Sequence, residues 1–189
     1  LDYSFRDKYM LGLFGRYDAS YLYAEGKRWG FFPGASVGWR VSDEPFFGKL
    51  KNVVNDLKLR ASVGQTGSEA GVSMFGYLPG YNYNQGIAVL DGKNVIGARP
   101  RGLPVTNLSW EKNTSYNAGV DARLFQNKFS LTADIFRKII SGRPAGRYDV
   151  LLPSEAGYTL PNENLNKDEY RGAEGMLTFT SKVGALNYN

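Results

Sequence analysis

Apolar and polar residues alternate with a period of two along six stretches of this chain, the spacing of a strand whose successive side chains point to opposite faces. From Tyr9, the odd positions Tyr9, Leu11, Leu13, Gly15 and Tyr17 stand against an even face ending in Arg16 and Asp18. Pro33, Ala35, Val37, Trp39 and Val41 oppose Gly34, Ser36, Gly38, Arg40 and Ser42, and Leu57, Leu59, Ala61 and Val63 oppose Lys58, Arg60, Ser62 and Gly64. The longest stretch sets Trp110, Tyr116, Ala118, Val120, Ala122 and Leu124 against Glu111, Asn113, Ser115, Asn117, Gly119, Asp121 and Arg123. After a Gln126-Asn127 turn, Phe129, Leu131, Ala133, Ile135 and Ile139 oppose Ser130, Thr132, Asp134 and Lys138, which predicts a hairpin. A weaker sixth stretch sets Ala173, Gly175, Leu177 and Phe179 against Gly172, Glu174, Thr178 and Thr180. The pattern predicts strands near residues 9–18, 33–42, 57–66, 110–124, 128–139 and 171–181, with the chain ending inside a further strand.

Each stretch has about nine residues or more, enough to cross a bilayer when tilted. The joins alternate in length. Long Gly/Tyr/Asn/Pro-rich loops are expected near residues 19–32, 66–108 and 140–170, against a two-residue turn and a join over 42–56. That join reads as a short amphipathic helix with Phe46, Phe47, Leu50, Val53 and Val54 on one face and Ser42 or Asp43 as its cap. Short turns at one rim and long loops at the other are the habit of outer-membrane barrels. A soluble β-sandwich also alternates, but it packs larger residues inward and rarely carries a forty-residue loop. The expected fold is therefore all-β, an antiparallel transmembrane β-barrel segment. It would supply about six to seven strands of a larger barrel, with long extracellular loops and short periplasmic turns.

Composition narrows the chemistry. The 189 residues include 23 Gly, 13 Tyr and 11 Phe but neither Cys nor His, which removes thiolate nucleophiles, Ser-His-Asp triads and zinc sites. No cofactor, metal site or enzymatic activity is expected. A net charge of +5 raises the question of nucleic acid, but the densest basic stretches, Lys49-Leu50-Lys51 and Arg99-Pro100-Arg101, are too short for such a footprint. No apolar run reaches 18 residues and mean hydropathy is −0.37, which excludes a transmembrane helix and leaves a barrel open. Leu1–Phe5 has neither a basic region nor an apolar run, so no signal peptide is expected within the chain.

Several blocks resemble the barrel portion of SusC/RagA-like, TonB-dependent outer-membrane transporters. Arg28-Trp29-Gly30-Phe31-Phe32-Pro33 leading to Gly38-Trp39-Arg40-Val41-Ser42 resembles the family's aromatic-Pro strand opening. Leu57-Lys58-Leu59-Arg60-Ala61-Ser62-Val63-Gly64-Gln65-Thr66-Gly67 is similar to its most recognisable strand. Asn107-Leu108-Ser109-Trp110-Glu111-Lys112, with Asn117-Ala118-Gly119-Val120-Asp121 and Phe125-Gln126-Asn127-Lys128, resembles its Trp-Glu-Lys hairpin, and Arg171-Gly172-Ala173-Glu174 its Gly-x-Glu strand start. Tyr17-Asp18-Ala19-Ser20-Tyr21 and Asp168-Glu169-Tyr170-Arg171 depart from the family's pattern. The resemblance implies a roughly 22-stranded barrel of a Gram-negative outer membrane, of which residues 1–189 are one partial domain lacking the plug. It implies import of oligosaccharides or peptides, a SusD-like surface lipoprotein as partner, and the TonB complex engaged through an N-terminal part outside this sequence. A passive porin, or a secreted carbohydrate-binding β-domain, is the alternative function.

Parity then nominates residues. Arg16, Arg40, Lys58, Arg60, Glu111, Asp121, Arg123, Asp134 and Glu174 are expected on the lumen side, facing plug or solute, or else pairing laterally along the wall. Loop residues Tyr77, Tyr81, Tyr83 and Tyr158 are candidates for substrate contact, because aromatic faces stack on sugar rings, or for packing against the lipoprotein. Tyr9 and Trp39 at one end, with Tyr17, Phe31 and Trp110 at the other, fit two aromatic girdles. Lys112, Arg137 and Arg171 are outward near the extracellular ends, as a lipopolysaccharide-binding patch or as snorkelling cations. Asn162-Glu163-Asn164 near Asp168 faintly suggests calcium and fits turn chemistry at least as well.

Overall fold

A computed structural model describes every residue except 148, 154, 156, 184, 185 and 189, and only the backbone of 86, 87, 182, 183 and 186–188. Strand β1 (Asp2–Phe5) turns at Arg6 and Asp7, with φ of 53° and 54°, into β2 (Tyr9–Ala19). β3 (Trp29–Arg40), β4 (Val54–Ser68), the hairpin β5 (Tyr81–Leu90) and β6 (Lys93–Pro100), β7 (Glu111–Leu124), β8 (Phe129–Ala145) and β9 (Glu163–Phe179) follow. The two short strands β10 (Ser181–Val183) and β11 (Leu186–Tyr188) pair with each other in a separate two-stranded sheet.

Seven of these strands make one antiparallel meander in the order β1-β2-β3-β4-β7-β8-β9, an unclosed arc of barrel wall. The joins β1–β2, β3–β4 and β7–β8 lie at one rim: Arg40 N–H donates to the Lys8 carbonyl, and Phe125 N–H to the Val53 carbonyl. At the β7–β8 turn Phe125, Gln126 and Asn127 all adopt positive φ, which lets two strands of matching twist reverse in four residues. The three long connections, residues 20–28, 69–110 and 146–162, share the opposite rim.

Where the pattern and the molecule differ, the reasons are local. β1 lies before the first stretch with clear alternation. β3, β8 and β9 run several residues further toward the long-loop rim than the apolar rows do, because a ladder hydrogen bond needs no greasy side chain. The 69–110 loop holds its own hairpin, β5–β6. The 42–56 join is no amphipathic helix: it forms two 3-10 turns, Val41–Asp43 and Pro45–Leu50, neither capped by a side chain. Pro45 interrupts it, and the Ser42 hydroxyl donates to Asp56 instead of serving a helix end. Phe47 is buried, whereas Phe46, Leu50 and Val53 are exposed.

Among the described residues no second layer covers the sheet. Apolar-face residues stay open across its width: Leu13 is 42% exposed, Val37 53%, Ile135 63% and Leu177 65%. The buried hydrophobic residues collect elsewhere, chiefly Tyr23, Phe32 and Leu108 at the long-loop rim. Among the described residues no helix is long and apolar enough to cross a membrane, a statement silent on strands.

Candidate functional site

The registers align the polar face in rows across the strands. One row reads Gly38, Arg60, Gly119, Asp134 and Glu174, and the next reads Arg40, Lys58, Asp121, Thr132 and Met176. Arg60 spans two rows and three strands. Its Nη2 donates to Asp134 Oδ2 at 2.6 Å and its Nε to Asp121 Oδ2 at 3.0 Å, while the Thr132 hydroxyl donates to Asp121 Oδ1 at 3.1 Å. The reach from β4 to β8 requires glycine between them, because a Cβ at Gly119 would overlap Asp134 Oδ1 and lie 2.9 Å from Arg60 Cζ. Asp134 is buried and its Oδ1 accepts no hydrogen bond from the described residues.

The other polar-face charges are also largely paired with one another, along a strand or across the wall. Arg16 donates to Asp18, and Arg40 lies 3.8 Å from Asp43 and 3.9 Å from Asp56. Buried Glu111 accepts from Arg143 at 3.2 Å, and Arg143 also meets Asp168 at 2.8 Å. Lys58, Arg123 and Glu174 form no ion pair among the described residues. Arg143 escapes a parity reading because register shifts at Ser141/Arg143 and Arg143/Pro144, beside Gly142 at φ 76°, return it to the polar side. The glycine was the available signal.

At the long-loop rim the polar face is capped by aromatics. The Trp110 ring packs edge-on to Phe32 at 5.5 Å and tilted to Tyr23 at 5.4 Å, and its indole N–H donates to the Arg28 carbonyl at 2.9 Å. This corrects the girdle assignment of Trp110: the residue sits just before β7 begins, off the ladder, so strand parity no longer aims it outward. Burial pushes the Tyr23 hydroxyl up to about 12, helped by the Glu69 and Glu111 charges. The girdle on the apolar face includes Trp29, stacked on Tyr17 at 4.8 Å, which the pattern alone left inside a loop. At the short-turn rim Tyr9 and Trp39 are register partners and both donate to Glu44 Oε1, at 2.6 and 3.3 Å.

The four tyrosine candidates do not converge. Tyr77 carries the Arg28 guanidinium 6.0 Å above its ring, Tyr81 and Tyr83 are exposed on β5, and Tyr158 lines a separate open cleft of about 600 Å3 with Arg147, Leu152 and Leu160. No ring contact among the described residues joins any two of them. Asn164 performs loop chemistry: its side chain accepts from Ser109 N–H and donates to the Ser109 and Gly142 carbonyls.

Of the outward cations, Arg137 and Arg171 face each other across β8 and β9 and both bind Glu169, the former at 2.7 Å. Lys112 is exposed and one row above Thr114 and Ile139.

An arc of strands with an uncovered apolar face, an ion-paired polar face, tight turns at one rim and long loops at the other is barrel wall. The sequence matches, over residues 1–189, the family described as TonB dependent receptor-like, beta-barrel. The chain belongs to the TonB-dependent receptor family. The TonB-dependent receptor SusC of Bacteroides thetaiotaomicron is 36% identical over 141 residues, covering 73% of this chain and 14% of SusC. TonB-dependent receptor P39 of Formosa agariphila is 32% identical over 177 residues, covering 92% of this chain and 16% of P39. In fold, the chain superposes on a chain of the RagAB peptide importer in its 'open-open' state with TM-score 0.78 at 20% identity, covering 97% of this chain and 19% of that one. It thus spans less than a fifth of these relatives' length, and TonB-receptor barrel wall of the SusC/RagA type is what it encodes.

Proposed function

We propose that this chain forms one arc of an outer-membrane nutrient importer of the SusC/RagA type in a Gram-negative cell. The importer takes up oligosaccharides or peptides, works beneath a SusD-like surface lipoprotein and is driven by the TonB complex. The single observation that supports this most is the division of the sheet: an open apolar face, uncharged across β2, β3 and β4, on one side and ion pairs along the wall on the other. Apolar rows facing lipid and a charged wall facing a wet or plugged lumen are what a TonB-dependent barrel requires. A secreted carbohydrate-binding domain would leave the same rows in water, against the ordinary limit on exposed apolar patches. No side chain in the wall is assigned a catalytic role, and the protein is read as a transporter without enzymatic activity.

In this reading the lumen charges hold the wall together, while Tyr81 and Tyr83 on β5 and Tyr158 in the third loop are the side chains presented for solute or lipoprotein contact. The test is uptake by cells carrying the full-length receptor, with radiolabelled oligosaccharides and peptides supplied in parallel. Uptake of one class that stops when a protonophore collapses the energised inner membrane is the expected result. Uptake indifferent to the protonophore would replace the importer with a passive porin.

A further inference from the structure

The outward face of β2, β3 and β4 carries no charged residue: its positions run Tyr9 to Ala19, Trp29 to Trp39 and Asn55 to Gly67 by odd numbers, all apolar, small or neutral. Every outward charge on the main seven-stranded sheet lies instead at the long-loop ends of β7, β8 and β9. The registers place Tyr116, Arg137 and Arg171 in one row, Thr114, Ile139 and Glu169 in the next, and Lys112, Ser141 and Lys167 in the row above that. Four cations thus share about three rows with one carboxylate. Glu169 is held by both guanidiniums, at 2.7 Å from Arg137 and in direct contact with Arg171, which satisfies a carboxylate that would otherwise face an apolar medium alone. Lys112 and Lys167 flank Ser141 with no carboxylate of their own among the described residues. Neighbouring strands lie about 4.8 Å apart, so the two ammonium stems rise roughly 10 Å apart across Ser141, a gap that one phosphate can bridge.

Resting on the outer-membrane reading above, the geometry points to a binding site for the phosphorylated lipid A headgroup of lipopolysaccharide on the outward face of β7–β9. Lys112 and Lys167 are the phosphate clamp, and the Arg137–Glu169–Arg171 cluster is its floor. Charge complementarity selects this occupant. The patch carries a net charge of +3, it stands directly above the apolar residues Ala118, Ile135 and Ala173, and it sits at the rim of the long loops, which faces the outer leaflet. A general tendency of cations to reach for the interface would distribute them around the arc; here they occupy three adjacent strands and none of the others.

The full-length receptor, purified in mild detergent from the outer-membrane fraction, is assayed for lipopolysaccharide and for phospholipid retained per barrel. Lys112→Gln with Lys167→Gln, which leaves Glu169 paired, is expected to lower retained lipopolysaccharide at least threefold with phospholipid and heat-modifiable migration unchanged. Lys112→Arg with Lys167→Arg is expected to retain it. Unchanged lipopolysaccharide overturns the site, as does an equal fall in phospholipid, which would mean undirected attraction to anionic lipid, or loss of a co-purifying protein instead of lipid. Should the glutamine variant fail to assemble, the wild-type receptor is offered intact and dephosphorylated lipopolysaccharide under native mass spectrometry. At least threefold preference for the phosphorylated form is expected, and equal retention rejects the clamp. Recovery of the wild-type receptor outside the membrane fraction would instead defeat the barrel reading itself.

Discussion

Replacing Arg60 with Met should destabilise the barrel more than replacing Asp134 with Asn, although the two residues share one ion pair. Without Arg60, the carboxylates of Asp121 and Asp134 are left facing each other across neighbouring rows, and Asp134, with a side chain only 9% exposed, keeps a charge that nothing neutralises. Removing one member of a buried pair costs about 3–5 kcal/mol. The Arg60 side chain is 33% exposed, so water screens part of this, and a loss of about 2 kcal/mol is expected. Asp134→Asn leaves Arg60 bound to Asp121 and supplies an amide oxygen in place of the carboxylate, a change of about 1 kcal/mol. Combining Arg60→Met, Asp121→Asn and Asp134→Asn removes all three charges together and should recover part of the loss, because a neutral wall has no stranded ion. The measurement is the urea midpoint of the full-length receptor refolded into detergent micelles, read by intrinsic fluorescence. A midpoint for Asp134→Asn as low as that of Arg60→Met, or a triple variant weaker than either, would refute the reasoning.

Three further outcomes follow from local contacts. Trp110→Ala removes the packing against Phe32 and Tyr23 together with the hydrogen bond to the Arg28 carbonyl; a local loss of about 3 kcal/mol should appear as faster proteolysis within residues 20–28, with the strands still protected. Gly34→Val puts a side chain where the Phe14 ring lies, so an overpacking cost of about 1–3 kcal/mol should reduce the heat-modifiable, assembled fraction, whereas Gly48→Ala, at an open position without a positive φ, should assemble normally. Glu44 is held below its ordinary carboxyl value of 4.5, first by the Tyr9 hydroxyl and then by the Trp39 indole and Lys8. Its folded value being depressed, the stabilisation is complete above the unfolded value and disappears as pH falls from about 4.5 through the lower folded one. Acid titration of a variant retaining Trp39 as the sole tryptophan should therefore show a fluorescence change in that window, and Glu44→Gln should flatten it.

The class of fold was legible because lipid imposes a period of two on every strand, and because positions 125–128 carry a turn between two well-patterned stretches. What failed to show was whatever depends on leaving the ladder. Trp110 carries the parity of an outward residue but stands one position outside β7, where the backbone is free to swing its ring toward Phe32. Arg143 lies beyond a bulge that resets the count. The 3-10 turns after β3 arise because Pro45 and the Ser42–Asp56 hydrogen bond compete with a helix whose apolar spacing looked adequate. The ion pairs needed register as well as face: Arg60 could be assigned to the polar side from its neighbours, but its choice of Asp134 over Glu174, in the same row, depends on the space above Gly119.

Asn164 and Trp110 together fasten the roots of all three long loops to one another: the amide joins the third to the second through Ser109, and the indole joins the second to the first through Arg28. Loop roots tied in this way shift as one unit, so a displacement imposed on any single loop is carried to its neighbours as well.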